Sequence, residues 1–235
     1  MAQIGFSTGA MHVGYIPLEE RIKIFKAAGA NAVELSFGTL CAFKEFNISE
    51  GLLETLSGYE LVTIHAPWQG IRYDRNSTAI IKRLKEICAQ QKIYGIVVHA
   101  GTVDDYSILA ESGLPFLIEN MDSMARFGRL PKDFEKLRKE YDLGFVLDLQ
   151  HAYANDNTMQ LAGEFIDVMG DRLMELHASG QTECETHALL HKADNGNVIM
   201  GMLRANVPII LEGKVYGVVS AVEEEINLVK KLLNV

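Results

Sequence analysis

The sequence predicts an α/β fold, a single (β/α)8 TIM barrel spanning residues 1–235. Three observations lead there. Short apolar runs alternate with helical patterns eight times along the chain, and such alternation implies a parallel sheet. The 235 residues are 48% hydrophobic, enough for one barrel core without a second domain. The runs also end, repeatedly, in residues able to do chemistry, and a barrel gathers its strand ends at one mouth.

The first run is "QIGFST". "PLEERIKIFKAAGA" follows, with Leu18, Ile22 and Phe25 at helical spacing and Gly29 at the expected stop. "AVELSF" is the second run, and a helix over 49–57 comes next. "ELVTIHA" is the third, followed by an amphipathic helix from Ser77 to Gln91 with Ser77 as its cap. "YGIVVHAG" is the fourth, with a weaker helix near 104–112. After "LPFLIEN", Pro131 opens a helix over "PKDFEKLRKEY", proline being tolerated in a first turn. "LGFVLDL" is the sixth run, with a helix over 158–168 after it. "RLMELHAS" is the seventh; residues 181–205 read as irregular with one short helix. "VPIILEG" is the eighth, and "SAVEEEINLVKKLLNV" closes the chain as a helix. The competing architecture is an open doubly wound sheet, which would offer a Gly-rich turn after its first strand. "STGAMHVG" does not match that fingerprint.

No apolar run reaches the roughly 18 residues of a membrane span, so no membrane partner is expected. The N-terminus lacks the basic and long apolar regions of a signal peptide. Cys41, Cys88 and Cys184 are odd in number and widely spaced, which argues for a reducing cytoplasm rather than a disulfide framework. No obligate protein partner is implied. The net charge of −9 gives no long-range help in approaching a polyphosphate chain. A bound cation cluster would attract phosphate locally.

The runs carry the functional argument in their last residues. His65 ends the third run, His99 the fourth and Glu119 the fifth. The sixth gives Asp148, with His151 just beyond; the seventh ends at His177 and the eighth at Glu212. Between the last two lies "ECETHALLH", with Glu185 and His187. Six of the seven histidines therefore fall at or just beyond strand ends or in that loop. Several carboxylates converging on one mouth need cations nearby, and carboxylates with neutral imidazoles are donors that zinc or manganese accepts. Taken singly, each residue has a structural use: Asp148 can cap a turn, and Glu212 can pair with Lys214. His12 and His191 read as structural, and Cys184 as an inert thiol.

On these segments the sequence resembles the xylose isomerase-like TIM barrels, and within them the endonuclease IV type of apurinic/apyrimidinic endonuclease. "IHAPW", "VVHAG", "LIENMD", "VLDLQHAY", "ELHAS", "ETH" and "IILEG" resemble that family's motifs from strand three to strand eight. The resemblance implies up to three zinc ions, with manganese as an alternative. His65, His99 and Glu119 would hold the first; Glu119, Asp148, His177 and Glu212 the second; His151, Glu185 and His187 the third. Glutamate in "ETH" replaces the family's aspartate, and "MDSMARFGRL" stands where the family has a glycine-rich stretch. The loop after the second run, "SFGTLCAFKEFN", is short beside those with which the family penetrates DNA.

Two reactions follow from the resemblance. One is hydrolysis of abasic or damaged DNA, or of a related phosphoester. Zinc lowers the pKa of water to about 7 there, and Glu119, Asp148 and Glu212 orient it. Trp68, Arg72 and Lys214 are the candidate substrate contacts, with Arg75 nearby. The other is isomerisation or epimerisation of a sugar or keto acid at one metal on Glu119, Asp148, His177 and Glu212. A metal-binding barrel without turnover is the third possibility.

Overall fold

Eight parallel strands close on themselves, and the closure is what distinguishes this architecture from an open sheet. The computed structural model describes residues 2–14 and 16–235. The strands are β1 Ile4–Ser7, β2 Ala32–Ser36, β3 Leu61–His65, β4 Gly95–His99, β5 Phe116–Glu119, β6 Gly144–Asp148, β7 Leu173–Ala178, β8 Gly180–Gln181, β9 Thr186–Ala188 and β10 Ile209–Leu211. All but β8 and β9 form the barrel, in the order β1-β10-β7-β6-β5-β4-β3-β2. β1 seals it, pairing Ile4 with Ile209 on one side and Gly5 with Ala32 on the other. Gly5 has to be glycine here: a Cβ would meet the Ala32 carbonyl oxygen at 1.9 Å.

The helices are α1 Leu18–Ala27, α2 Leu40–Glu45, α3 Glu50–Ser57, α4 Thr78–Gln90, α5 Ser107–Ala110, α6 Pro131–Glu140, α7 Leu149–Asn155, α8 Gln160–Met169, α9 Gly196–Met200 and α10 Val219–Leu233. Their buried faces carry the pattern that predicts them, such as Ile22 and Phe25 in α1 and Ile80, Leu84 and Ile87 in α4. One continuous core joins these faces to the outside of the barrel. None of the described helices is long and apolar enough to cross a membrane.

Four local expectations are corrected. The loop after β2 contains α2, where Thr39 Oγ1 accepts from Ala42 N and Phe43 packs edge-on against Phe37. Ser77 precedes α4, but its hydroxyl does not cap it; it donates to the Arg72 carbonyl and accepts from Asp74 N. His151 lies on α7 rather than in a loop, and the Asp148 carboxylate caps that helix through His151 N at 2.9 Å. The stretch 181–205 holds the antiparallel pair β8–β9 as well as a short helix.

Inside the barrel the side chains form layers, as alternation along each strand requires. The lower layers are apolar: Ala32, Leu61 and Ile210 in one cluster, Val97, Leu117 and Val146 in another. Two residues further along β2 and β3 the interior turns polar at Glu34 and Thr63, and Glu175 of β7 is fully buried with them. The mouth lies above them.

Candidate metal centre at the barrel mouth

Glu119, at the end of β5, organises the mouth. Its Oε2 faces His65 Nε2 at 3.1 Å and His99 Nε2 at 3.2 Å. Its Oε1 faces His177 Nδ1 at 3.1 Å and His151 Nδ1 at 4.0 Å. His177 Nδ1 also lies 3.4 Å from Glu212 Oε1. Three donor sets, each with its ligand atoms within 4.8 Å of one another, occur among the described residues: His65, His99 and Glu119; Glu119, Asp148, His177 and Glu212; and, beneath them, Glu34, Glu175 and His177. Glu119 belongs to the first two and turns one oxygen to each.

Backbone contacts orient several of these rings. His65 Nδ1 lies 3.1 Å from the Ala66 carbonyl, and His151 Nδ1 lies 2.9 Å from the Asn120 carbonyl. A carbonyl only accepts, so each Nδ1 carries hydrogen, and Nε2 is the nitrogen left to give up its proton to a cation. Asn120 also accepts from Asp148 N at 2.6 Å and donates to the Asp148 carbonyl at 3.0 Å, fixing β6 against β5. Asp148 Oδ2 is buried without a hydrogen-bond partner, a cost that a bound cation would offset. The donor chemistry and this orphaned oxygen fit a divalent metal such as zinc or manganese.

Electrostatics within the mouth follow from crowding. Burial opposes ionisation of Glu119, but His177 and His99 outweigh it and hold the carboxyl well below its usual range. Burial pushes Glu212 up to about 8; His177 opposes this, while Asp148, Glu119 and Glu34 reinforce it. His65 is lowered by burial yet raised overall to about 9 by its bond to Glu119 and by Glu34. His99 and His187 are lowered, in both cases chiefly by burial.

The third expected set is not gathered. His187 sits at the edge of the mouth, its Nδ1 3.0 Å from Ser179 Oγ and its ring 6.1 Å from that of His151. Its backbone is left-handed at φ 56°, a strained conformation for histidine. Glu185 is turned away, bonded to the Tyr216 hydroxyl and 3.8 Å from Lys214 Nζ. Lys214 donates to the Thr186 carbonyl, so both residues hold the β9 strap rather than facing the mouth.

Among the candidate substrate contacts, Trp68 is 38% exposed and tilts over His99 with ring centres 5.4 Å apart. Arg72 and Arg75 are engaged by Asp104 and Asp105. His12 is exposed and bonds the Gly9 carbonyl. Cys184 is exposed, and all three cysteines are free.

His191 points away from the mouth, to Glu225 Oε2 at 2.6 Å. Glu225 is buried on α10 and also accepts from Leu190 N and His191 N. Glu225→Ala is expected to destabilise the protein by about 3 kcal/mol, because those donors lose their acceptor. Urea unfolding checks this, with Glu225→Gln as the milder control. An unchanged midpoint in the alanine variant would dismiss the clasp.

Two further residues, Glu34 and Glu175, belong to the centre and are absent from the sequence expectation. Both sit mid-strand in apolar runs, in "AVELSF" and "RLMELHAS", and a charged residue there is the available signal. Each lies two residues before its strand's last interior position.

The closed barrel and its strand order define a (β/α)8 TIM barrel, the fold also seen in proteins described as xylose isomerase-like. Solved structures of similar shape include sugar epimerases and an endonuclease. A D-tagatose 3-epimerase-like protein superposes with a TM-score of 0.74 at 17% identity, covering 100% of this chain and 98% of that one. Endonuclease IV from Thermus thermophilus gives 0.73 at 17% identity, covering 99% of each chain. D-psicose 3-epimerase from Clostridium cellulolyticum, solved with D-tagatose, gives 0.71 at 14%, covering 100% and 98%. No family model and no curated protein sequence matches the chain.

Proposed function

We propose that the protein is a divalent-metal-dependent phosphoester hydrolase. The observation that carries this reading is Glu119, whose two oxygens address two donor sets. A bridging carboxylate between two ligand groups is what a two-metal site requires, and such sites serve in-line phosphoryl displacement. A single-metal reaction has no need of the His65–His99 side. The bound ions supply Lewis acidity, acidifying water and neutralising phosphate charge. Asp148 and Glu212 orient the attacking water and receive its proton. The water oxygen would form the new P–O bond as the P–O bond to the leaving oxygen breaks, and the proton taken up by Asp148 or Glu212 would pass to that leaving oxygen.

The substrate presents a phosphodiester within reach of the mouth. An abasic site in DNA is the macromolecular candidate, with Trp68 as a stacking surface beside His99. Arg72 and Arg75 are already paired, and the net charge is −9, so phosphate is drawn by the mouth's cations rather than by a basic track.

One observation favours the runner-up, an epimerase or isomerase of a sugar or keto acid. With Glu185 turned away, the set of Glu119, Asp148, His177 and Glu212 is complete for one metal. Glu119 and Glu212, 3.1 and 3.4 Å from His177 Nδ1, would then be the groups that move protons.

Metal-loaded protein, incubated separately with an abasic duplex, bis(p-nitrophenyl) phosphate and a ketohexose in D2O, tests the choice. Strand cleavage or nitrophenol release is expected, with more than one metal per chain by elemental analysis. Deuterium entering the sugar, with one metal and no cleavage, would replace the hydrolase by the epimerase. Metal without any of these reactions would leave a binding barrel.

A further inference from the structure

Among the described residues, His177 differs from His65 and His151 in that neither of its ring nitrogens meets a backbone carbonyl. Its Nε2 lies 3.0 Å from Glu175 Oε1 and 3.3 Å from Glu34 Oε2. Its Nδ1 faces the opposite way, to Glu119 and Glu212. Glu34 comes from β2 and Glu175 from β7, strands separated by β1 and β10 in the barrel order, so the two carboxylates meet across the interior. Both are fully buried. Glu34 Oε1 and Oε2, Glu175 Oε2 and Thr63 Oγ1 have no hydrogen-bond partner.

We propose that Glu34 and Glu175 are positioning residues that hold hydrogen on His177 Nε2 and thereby direct the Nδ1 lone pair into the mouth. The inference rests on the metal reading above. With hydrogen on Nε2, the ring donates to Glu175 Oε1 and turns its positive edge toward the unpartnered Glu34 carboxylate. With hydrogen on Nδ1 instead, a bare lone pair would face two carboxylates, and the ring would donate to Glu119 and Glu212, occupying oxygens that serve as ligands. The lower field therefore selects the tautomer. His65 and His151 obtain the same result from the Ala66 and Asn120 carbonyls, because one sits at a strand end and the other in a first helical turn. The His177 ring lies inside the barrel, where strand carbonyls are committed to the ladder, so side chains must serve.

The placement also has a cost that packing does not offset. The barrel interior beside them is otherwise filled by Ala32, Leu61, Ile210, Val97, Leu117 and Val146. Apolar residues at positions 34 and 175 would extend that filling and remove two buried carboxylates. A hydrogen-bond partner on the far nitrogen of a metal-bound histidine, in contrast, commonly contributes about 10–100-fold in metal affinity.

The test combines ring-15N histidine NMR with zinc affinity by dye competition and the Tm of chelator-treated protein. The variants are Glu34→Leu, Glu175→Leu, the double variant, and Glu175→Gln as a conservative rescue whose carbonyl still accepts. Expected are a zinc-loaded wild type with hydrogen on His177 Nε2, and a double variant binding zinc about 10–100-fold more weakly. Its metal-free Tm should equal or exceed the wild type's, and Glu175→Gln should retain most of the affinity. Unchanged affinity in the double variant overturns the inference while leaving the metal centre standing. A metal-free Tm that falls in parallel with affinity reduces the pair to a structural role and also overturns it. Loss of one whole zinc equivalent, with the remaining affinity intact, would make the pair a ligand set instead. Should the double variant not fold, hydrogen on Nδ1 or zinc on Nε2 in the wild type overturns the inference directly. A wild type that takes up no zinc defeats the metal reading itself, and this inference with it.

Discussion

Glu119→Gln is expected to abolish turnover, by about a thousandfold or more, because the loss of metal removes several kcal/mol of transition-state stabilisation. The reason is the shared carboxylate. Glutamine keeps the shape but loses the negative charge that faces His65 and His99 through one oxygen and His177 through the other. Both donor sets weaken together, so elemental analysis should show bound metal falling across the board rather than by one ion. His99→Ala makes the contrast: it lies in the first set only, so the four-residue set should still load. Full metal content and wild-type rates in Glu119→Gln would mean that the two sets do not share a bridge.

The second large effect concerns pH. Glu212 is raised from an ordinary value of 4.5 to about 8, and His65 from 6.5 to about 9. The folded protein without metal therefore holds protons that the unfolded chain releases at lower pH. For His65 the stabilisation is complete below 6.5 and lost as pH rises through about 9; for Glu212 stability falls as pH rises from about 4.5 to about 8. His99 and His187 are shifted down and act with the opposite sign, at and below the ordinary 6.5. Between pH 7 and 9 the first effect prevails, and the Tm of chelator-treated protein should fall. Metal displaces the same protons, so its affinity should rise over that window. Ligand at about a hundred times its Kd adds about 2.7 kcal/mol, or about 8 °C for a domain of this size. The gap between metal-loaded and metal-free Tm should therefore widen from pH 7 to 8.5. A metal-free Tm that rises over this range would contradict the buried proton inventory of the mouth.

Much of this centre is legible in the sequence because barrel chemistry has a linear trace. A strand buried on both faces reads as an apolar run, and its end reads as the place where that run breaks. His65, His99, Glu119, Asp148, His177 and Glu212 all stand at such breaks, and they make up the two donor sets that share Glu119. The linear trace fails where the signal is not an ending. Glu34 and Glu175 lie inside their runs, and nothing in linear spacing says that two such distant positions face one nitrogen. Helix α7 escapes sequence reasoning because its cap, Asp148, also has the look of a ligand; the structure gives its two oxygens separate tasks, Oδ1 capping and Oδ2 free. Glu185 pairs with His187 in the sequence because they are two residues apart. In the antiparallel pair that spacing does not ensure a common target: His187 is held by Ser179 and Glu185 by Tyr216.

The sequence by itself determined the eight-unit barrel and the polar character of its mouth, since both follow from local patterning of apolar and ionisable residues. Only the tertiary structure decided which oxygen faces which ring. That is settled by distances of a few ångströms between strands far apart in the chain. Buried donors and acceptors must satisfy one another there, and no local pattern encodes which partner they find.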